Sequence, residues 1–248
     1  YLDREYLSDF DVSDVDIHAN IERQAAFDKP VYETKPYAIT EDESLEDNTY
    51  LSYNAVIGTS VDAKLYLAFQ ILDYALVMTP GAPVKQALLD AGISTDVYSS
   101  YETSLYQPVY SIVAKNSNSK EQGRFVSVIN DTLEKLVKDG INERTIEAGI
   151  NYYEFKYREA DYGPYPKGLM YYLTMMDSWL YDENKPFVHV EAGETFEIIK
   201  KDSENGFFEK FIEDNIIGNN HEVVLSLVPK HGLAEEKEAK EAEQLAKY

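Results

Sequence analysis

The four histidines, His18, His189, His221 and His231, are the first residues whose type could do chemistry, and their spacing limits what that chemistry is. Two imidazoles three or four residues apart on one helical face, with an acid beside them, form the heart of a zinc-hydrolase site. No pair in this sequence is so spaced. His221-Glu222 opens like H-E-x-x-H, but Leu225 stands where the second histidine is needed and the local pattern is that of a strand. His189 and Glu191 would share one side of an extended segment, which gives two ligands where zinc needs at least three, so a plain surface pair is expected. Thiolate chemistry is excluded because the chain has no cysteine. No serine occupies a G-x-S-x-G elbow, and no glycine-rich phosphate loop is present. Carboxylates number 45, too many for abundance to be informative, and general acid-base work needs two of them in one cleft. A hydrolase built on clustered carboxylates thus stays open, with no residue pair to name. The expectation is a chain with no catalytic, cofactor-binding or metal-ligating residue of its own.

Other candidates have a structural meaning that is favoured over a functional one. Arg158, near a helix end, is placed to pair with Glu154 one turn back and to balance the C-terminal partial charge, which leaves Glu159 without a special role. Gly163 and Gly168 with Pro164 and Pro166 mark a fixed corner. The 21 tyrosines offer apolar area with a polar tip, suited to a half-buried core and, for some, to a wall that holds peptide.

These residues must be positioned by a chain long enough, at 248 residues, to bury its own core. Acids exceed bases by 22, so nucleic acid is not an expected partner, while basic or unfolded peptides are compatible with the charge. The first 50 residues hold 14 acids and 4 bases, a net of −10, densest at Glu41-Asp42-Glu43 and Glu46-Asp47, where a solvated loop is the simplest account. No uninterrupted apolar run approaches the roughly 20 residues of a membrane span, so no membrane partner is expected. Freedom from cysteine fits a reducing compartment, and a cytoplasmic location is expected.

Along the chain, Val31 to Ile39 predicts an edge strand because Pro30 and Pro36 bar a central position. Thr49 to Gly58 alternates with Leu51, Tyr53, Ala55 and Ile57 on one face. Val61 to Val77 is helical, with Leu65, Phe69, Leu72 and Leu76 on one stripe, and a short helix starts at Pro83 and ends before Gly92. Thr95 to Tyr101 and Pro108 to Ala114 predict an antiparallel pair. Helices follow over Lys120 to Lys138, Asn142 to Glu159, and Lys167 to Tyr181, the last with Leu169, Leu173, Met176 and Leu180 at core spacing. Glu194 to Lys201 and Asn205 to Ile216 are helical, and His221 to Val228 alternates as a strand on Val223, Leu225 and Leu227. From Leu233 the chain is nearly all Ala, Glu and Lys and polar all round, as expected of a helix that buries no face in this domain. Strands separated by helical pairs give an α+β architecture with a mixed or antiparallel sheet layered with helices. Residues 1–12 are expected to be the tail of a preceding domain, 13–232 the α+β domain, and 233–248 the start of a helical linker.

Four segments in order, YLSDFD from Tyr6, TPGAPVKQALLDAG from Thr79, EFKYREADYGPYPKGL from Glu154 and NNHEVVLSLVP from Asn219, give the chain a family likeness. It resembles the insulinase-type (pitrilysin) zinc metallopeptidases, in their presequence-protease branch, from about Tyr6 onward. DSWLYDENKP from Asp177 and the Ala-Glu-Lys run after His231 extend the likeness. The resemblance implies the fold of the mitochondrial-processing-peptidase-like metallohydrolases, and a place as the second, non-catalytic domain followed by the start of a helical hairpin. It implies a parent protein that is a zinc metalloendopeptidase degrading short unstructured peptides, with zinc in its catalytic domain. That domain and the second half of the same chain would be its partners, closing with it around a chamber. The family's H-x-x-E-H motif is absent here, so none of its ligands can be carried onto this sequence. A free-standing peptide-binding or scaffold protein of the same fold, without the zinc site, is the alternative.

Overall fold

The protein was analysed as a computed structural model that describes residues 1–11 and 21–247. His18 and the expected boundary at residue 12 lie outside the described residues. A short helix, α1 (Leu2–Glu5), opens the chain. The sheet contains β1 (Val31–Ala38), β2 (Thr49–Val56), β3 (Asp96–Glu102), β4 (Val109–Ser117) and β5 (Glu222–Lys230), in the spatial order β1-β5-β2-β4-β3. β1 runs parallel to β5 and every other neighbouring pair is antiparallel, so the sheet is mixed. The proline-bearing β1 lies at an edge, where a missing amide donor costs no ladder bond to a second neighbour.

One face of the sheet carries the core. In β2, Leu51, Tyr53 and Ala55 are buried, while Tyr50, Ser52 and Asn54 on the opposite face are half-buried. The register extends that inner face to Tyr110, Ile112 and Ala114 of β4 and Val97 of β3. β5 alternates as expected, but its helix-covered side is Glu222, Val224 and Ser226, and Val223, Leu225 and Leu227 lie on the open side. Two flanking strands and a one-sided helical layer, not the hydropathy of β5 alone, settle which side faces inward.

Helix α2 (Ala63–Asp73) runs through the centre of the core, capped by Asp62, whose side chain accepts from the Leu65 amide at 3.0 Å. It is buried on more than one stripe, including Leu67, Ala68, Ile71 and Leu72, and passes into a π-helical turn, Tyr74–Met78. The stretch Ala63–Asp90 is, by length and composition, apolar enough to cross a membrane, more so than the residue run suggests. Here it is broken around Pro80-Gly81 and packed inside the domain, and α3 (Pro83–Asp90) starts afresh with proline in its first turn. Helix α4 (Gln122–Asp139) buries Phe125, Ile129 and Leu133. Helix α5 (Glu143–Glu159) is capped by Asn142, which accepts from the amides of Arg144 and Thr145, and buries Ile146, Ile150 and Tyr153. Helices α7 (Gly193–Ser203) and α8 (Phe207–Asn215) complete the layer with Phe196, Ile199, Phe208, Phe211 and Ile212. Helix α9 (Leu233–Leu245) buries only Leu233.

A further expectation is overturned. Helix α6 (Lys167–Trp179) forms where predicted, but its apolar stripe is not part of the core: Leu169, Leu173 and Leu180 are 48 %, 51 % and 62 % exposed, and Ser178 is its one buried residue. A helical period shows that a face is built for burial, but not that this domain supplies the covering surface.

Candidate functional site

The described histidines are spread over three separate neighbourhoods, each with a structural task. His189 lies in a turn that begins at Phe187, not in the extended segment expected, so it and Glu191 form no strand-side pair. Its ring is buried, stacks on Tyr66 with centroids 3.8 Å apart, and places Nε2 2.6 Å from the Ser60 carbonyl oxygen. A carbonyl only accepts, so Nε2 carries the proton. Burial holds the imidazole below its usual pKa, against the pull of the Ser60 carbonyl and of Asp177 and Asp62.

His221 packs against the edge of Phe27, ring centroids 4.7 Å apart, just before β5. Glu222 follows on the inner face, where burial raises its carboxyl pKa and the neighbouring Tyr53 partly offsets the rise. The segment is a strand and Leu225 faces the other side, so no second ligand joins this pair. His231 lies after β5 with Nε2 3.0 Å from the Glu43 carbonyl oxygen and Nδ1 3.6 Å from a Glu41 carboxylate oxygen. The acidic loop at residues 41–43 thus meets the chain just after β5.

Arg158 pairs with Glu154 one turn earlier, as spacing suggested, and Lys200 of α7 reaches the other Glu154 oxygen at 2.8 Å. The helix end is closed by Ala160 in a left-handed conformation, φ 46°. Gly163 occupies the same region at φ 58°, where its amide donates to Asp161, and makes the corner that aims α6.

Sequence reasoning missed a polar tie at the far end of α6. The Asp177 carboxylate accepts from the Tyr66 hydroxyl of α2 and the Thr103 hydroxyl that follows β3, each at 2.9 Å. Ser178 donates to the Lys185 carbonyl at 2.7 Å, and Lys185 donates to the Val61 carbonyl at 3.1 Å. A signal was present: Asp177 is the first charged residue after Lys167 in an otherwise apolar run.

Among the described residues no group of three or more His, Cys, Asp or Glu side chains converges in a way that could hold a metal ion. The donor chemistry does not fit zinc either, because His189 Nε2 is committed to the Ser60 carbonyl and His231 Nε2 to the Glu43 carbonyl, while His221 Nε2, buried without a hydrogen-bond partner among the described residues, is a single donor where zinc needs at least three. A cleft of about 710 Å³ between α5, α7 and α8 is ringed by Glu143, Glu147, Glu204 and Glu209, and Glu209 is already spent on the Ile141 amide at 2.8 Å.

A mixed sheet covered on one face by helices defines an α+β domain. The chain belongs to the family described as the Peptidase M16 inactive domain, which matches over residues 2–153. It is 41 % identical over 239 residues to protein HypA of Clostridium perfringens, a match that covers 96 % of this chain and 24 % of HypA. It is 29 % identical to presequence protease 1, chloroplastic/mitochondrial, of Arabidopsis thaliana, across 98 % of this chain and 23 % of that protein. The chain therefore spans about a quarter of the length of these relatives. The peptidase M16 inactive domain from Pseudomonas fluorescens shares the fold, with a TM-score of 0.57 and 11 % identity over 86 % of this chain and 46 % of that one. The family likeness drawn from the ordered segments and the α+β class both hold.

Proposed function

We propose that this chain serves as the non-catalytic, chamber-forming domain of a zinc metalloendopeptidase that degrades short unstructured peptides. The observation that carries the proposal is membership of the inactive-domain family. The similarity to a presequence protease supports a peptidase as the parent. Zinc and the general base would belong to the catalytic domain of the longer polypeptide, with this domain and the second half of that polypeptide packed beside it. The excess of 22 acids would draw basic peptides toward the chamber by long-range attraction.

The test is zinc content by elemental analysis with a peptide-cleavage assay, on this chain alone and on the full-length polypeptide. The expected result is zinc and cleavage in the full-length protein and neither in this chain. Stoichiometric zinc with cleavage by this chain alone would overturn the assignment. Cleavage of basic and acidic peptides with the same salt dependence would remove the electrostatic preference and leave the rest standing.

A further inference from the structure

Helix α6 presents Leu169, Tyr172, Leu173, Trp179 and Leu180, with Tyr165 just before it, at 41–62 % exposure. Its chain is uncharged from Gly168 to Met176 in a protein where 27 % of residues are charged. The helix is not loose. Asp177 is tied to Tyr66 and Thr103, and Ser178 to the Lys185 carbonyl, so the end of α6 is fixed while its apolar side stands clear. Tyr172 and Trp179 meet edge to face, centroids 6.5 Å apart, forming a stiff aromatic pair on that side. Such continuous apolar surface is uncommon on a monomer, and tyrosine and tryptophan are the residues that anchor interfaces.

Charge and length select the occupant. A cationic peptide would be drawn to carboxylates, which the run from Gly168 to Met176 lacks. A second copy would bring a net charge of −22 against −22. The relatives, in contrast, extend over about four times the matched length, and the chain covers less than half of the Pseudomonas fluorescens inactive-domain chain. We infer that the apolar side of α6 is the seat of a neighbouring domain of the same longer polypeptide, met through an apolar, aromatic-anchored contact. The inference rests on the proposed place of this chain in a multidomain peptidase and adds which surface makes the joint.

Hydroxyl-radical footprinting with mass spectrometry, on this chain and on the full-length polypeptide, tests it directly. Oxidation of Tyr172, Leu173 and Trp179 is expected to be at least about tenfold slower in the full-length protein, while this chain alone sediments as a monomer. Leu173→Asp is expected to leave the melting temperature of this chain unchanged and to restore oxidation of Trp179 in the full-length protein. Equal oxidation in the two contexts would overturn the inference, as would a dimer of this chain that Leu173→Asp dissolves. A full-length protein that binds zinc and cleaves peptide with α6 still exposed would sink only this inference. Protection of α6 in a full-length protein without zinc or activity would sink only the peptidase assignment.

Discussion

The Tyr66 hydroxyl donates to the Asp177 carboxylate across 2.9 Å and so joins the buried helix α2 to the exposed helix α6. Tyr66 is itself covered by the His189 ring, and the Asp177 oxygen it uses also accepts from Thr103. A helix whose apolar stripe is largely exposed is thus tied by polar groups at its C-terminal end.

Asp177→Ala should therefore loosen α6 more than it unfolds the domain. Two donors lose their acceptor, and the Tyr66 hydroxyl is buried, so a cost of about 1–3 kcal/mol is expected. For a chain of this size that is a fall of roughly 2–10 °C in melting temperature. Tyr66→Phe removes one of the two bonds and should cost about 0.5–1.5 kcal/mol. Amide exchange over Lys167–Trp179 should accelerate in both variants, while exchange in α2 and β2 changes little. Uniform acceleration across the domain would show that the tie is global instead.

Much of the fold was legible because its cues are local. The β2 alternation and the proline start of α3 each act through immediate neighbours, and both stand as expected. What failed was decided at a distance. The stripe of α6 has the spacing of a core face but meets no sheet, and the inner side of β5 was set by β2 and the helical layer. His189 had no local signal, because its partners Ser60 and Tyr66 are more than a hundred residues away.

Acid should favour one part of this core. Asp73 is buried and accepts from the Tyr110 hydroxyl at 2.8 Å, and burial raises its pKa despite that bond. The folded state thus binds this proton more tightly than the unfolded chain does. The stability this confers is fully present below the ordinary carboxylate value of about 3.9 and is lost as pH rises through the raised value. Asp73→Asn keeps an acceptor for Tyr110 without a charge. It should be more stable than the parent at pH 7, with the difference shrinking toward pH 3.5, as read from denaturant midpoints. A variant less stable at pH 7 would mean that the ionised carboxylate is favoured here.

His189 should act in the opposite direction. Its pKa is held below the ordinary value of about 6.5, so the stability carried by the neutral ring is present above that pH and lost as pH falls through the lowered folded value. His189→Phe keeps the stack on Tyr66 but leaves the Ser60 carbonyl without its donor, a cost of about 1–3 kcal/mol at pH 8. The same variant should lose less stability than the parent between pH 7 and pH 5.5. Unfolding free energies at the two pH values check both statements, and equal pH slopes would show that His189 does not titrate in this range.

Gly149 sets how closely α5 approaches the α2 end of the core. A methyl group there would lie 3.1 Å from Tyr74 Cδ1 and 3.3 Å from both the Cγ2 and the carbonyl oxygen of Ile71. The carbonyl belongs to a helix backbone and cannot swing aside, so the two helices would have to part. Overpacking of this kind costs about 1–3 kcal/mol, against which alanine returns up to about 1 kcal/mol in helix propensity. Gly149→Ala should therefore be neutral to destabilising by about 2 kcal/mol, and Gly149→Leu worse. Gly123, inside α4 with nothing within 4 Å of an added methyl, is the matched control. There alanine should stabilise by about 0.5–1 kcal/mol, since only the propensity term remains. Opposite signs for the two alanines in denaturant unfolding would locate the closest contact of the helical layer at Gly149, whereas a gain at both would show that α2 and α5 have room to spare.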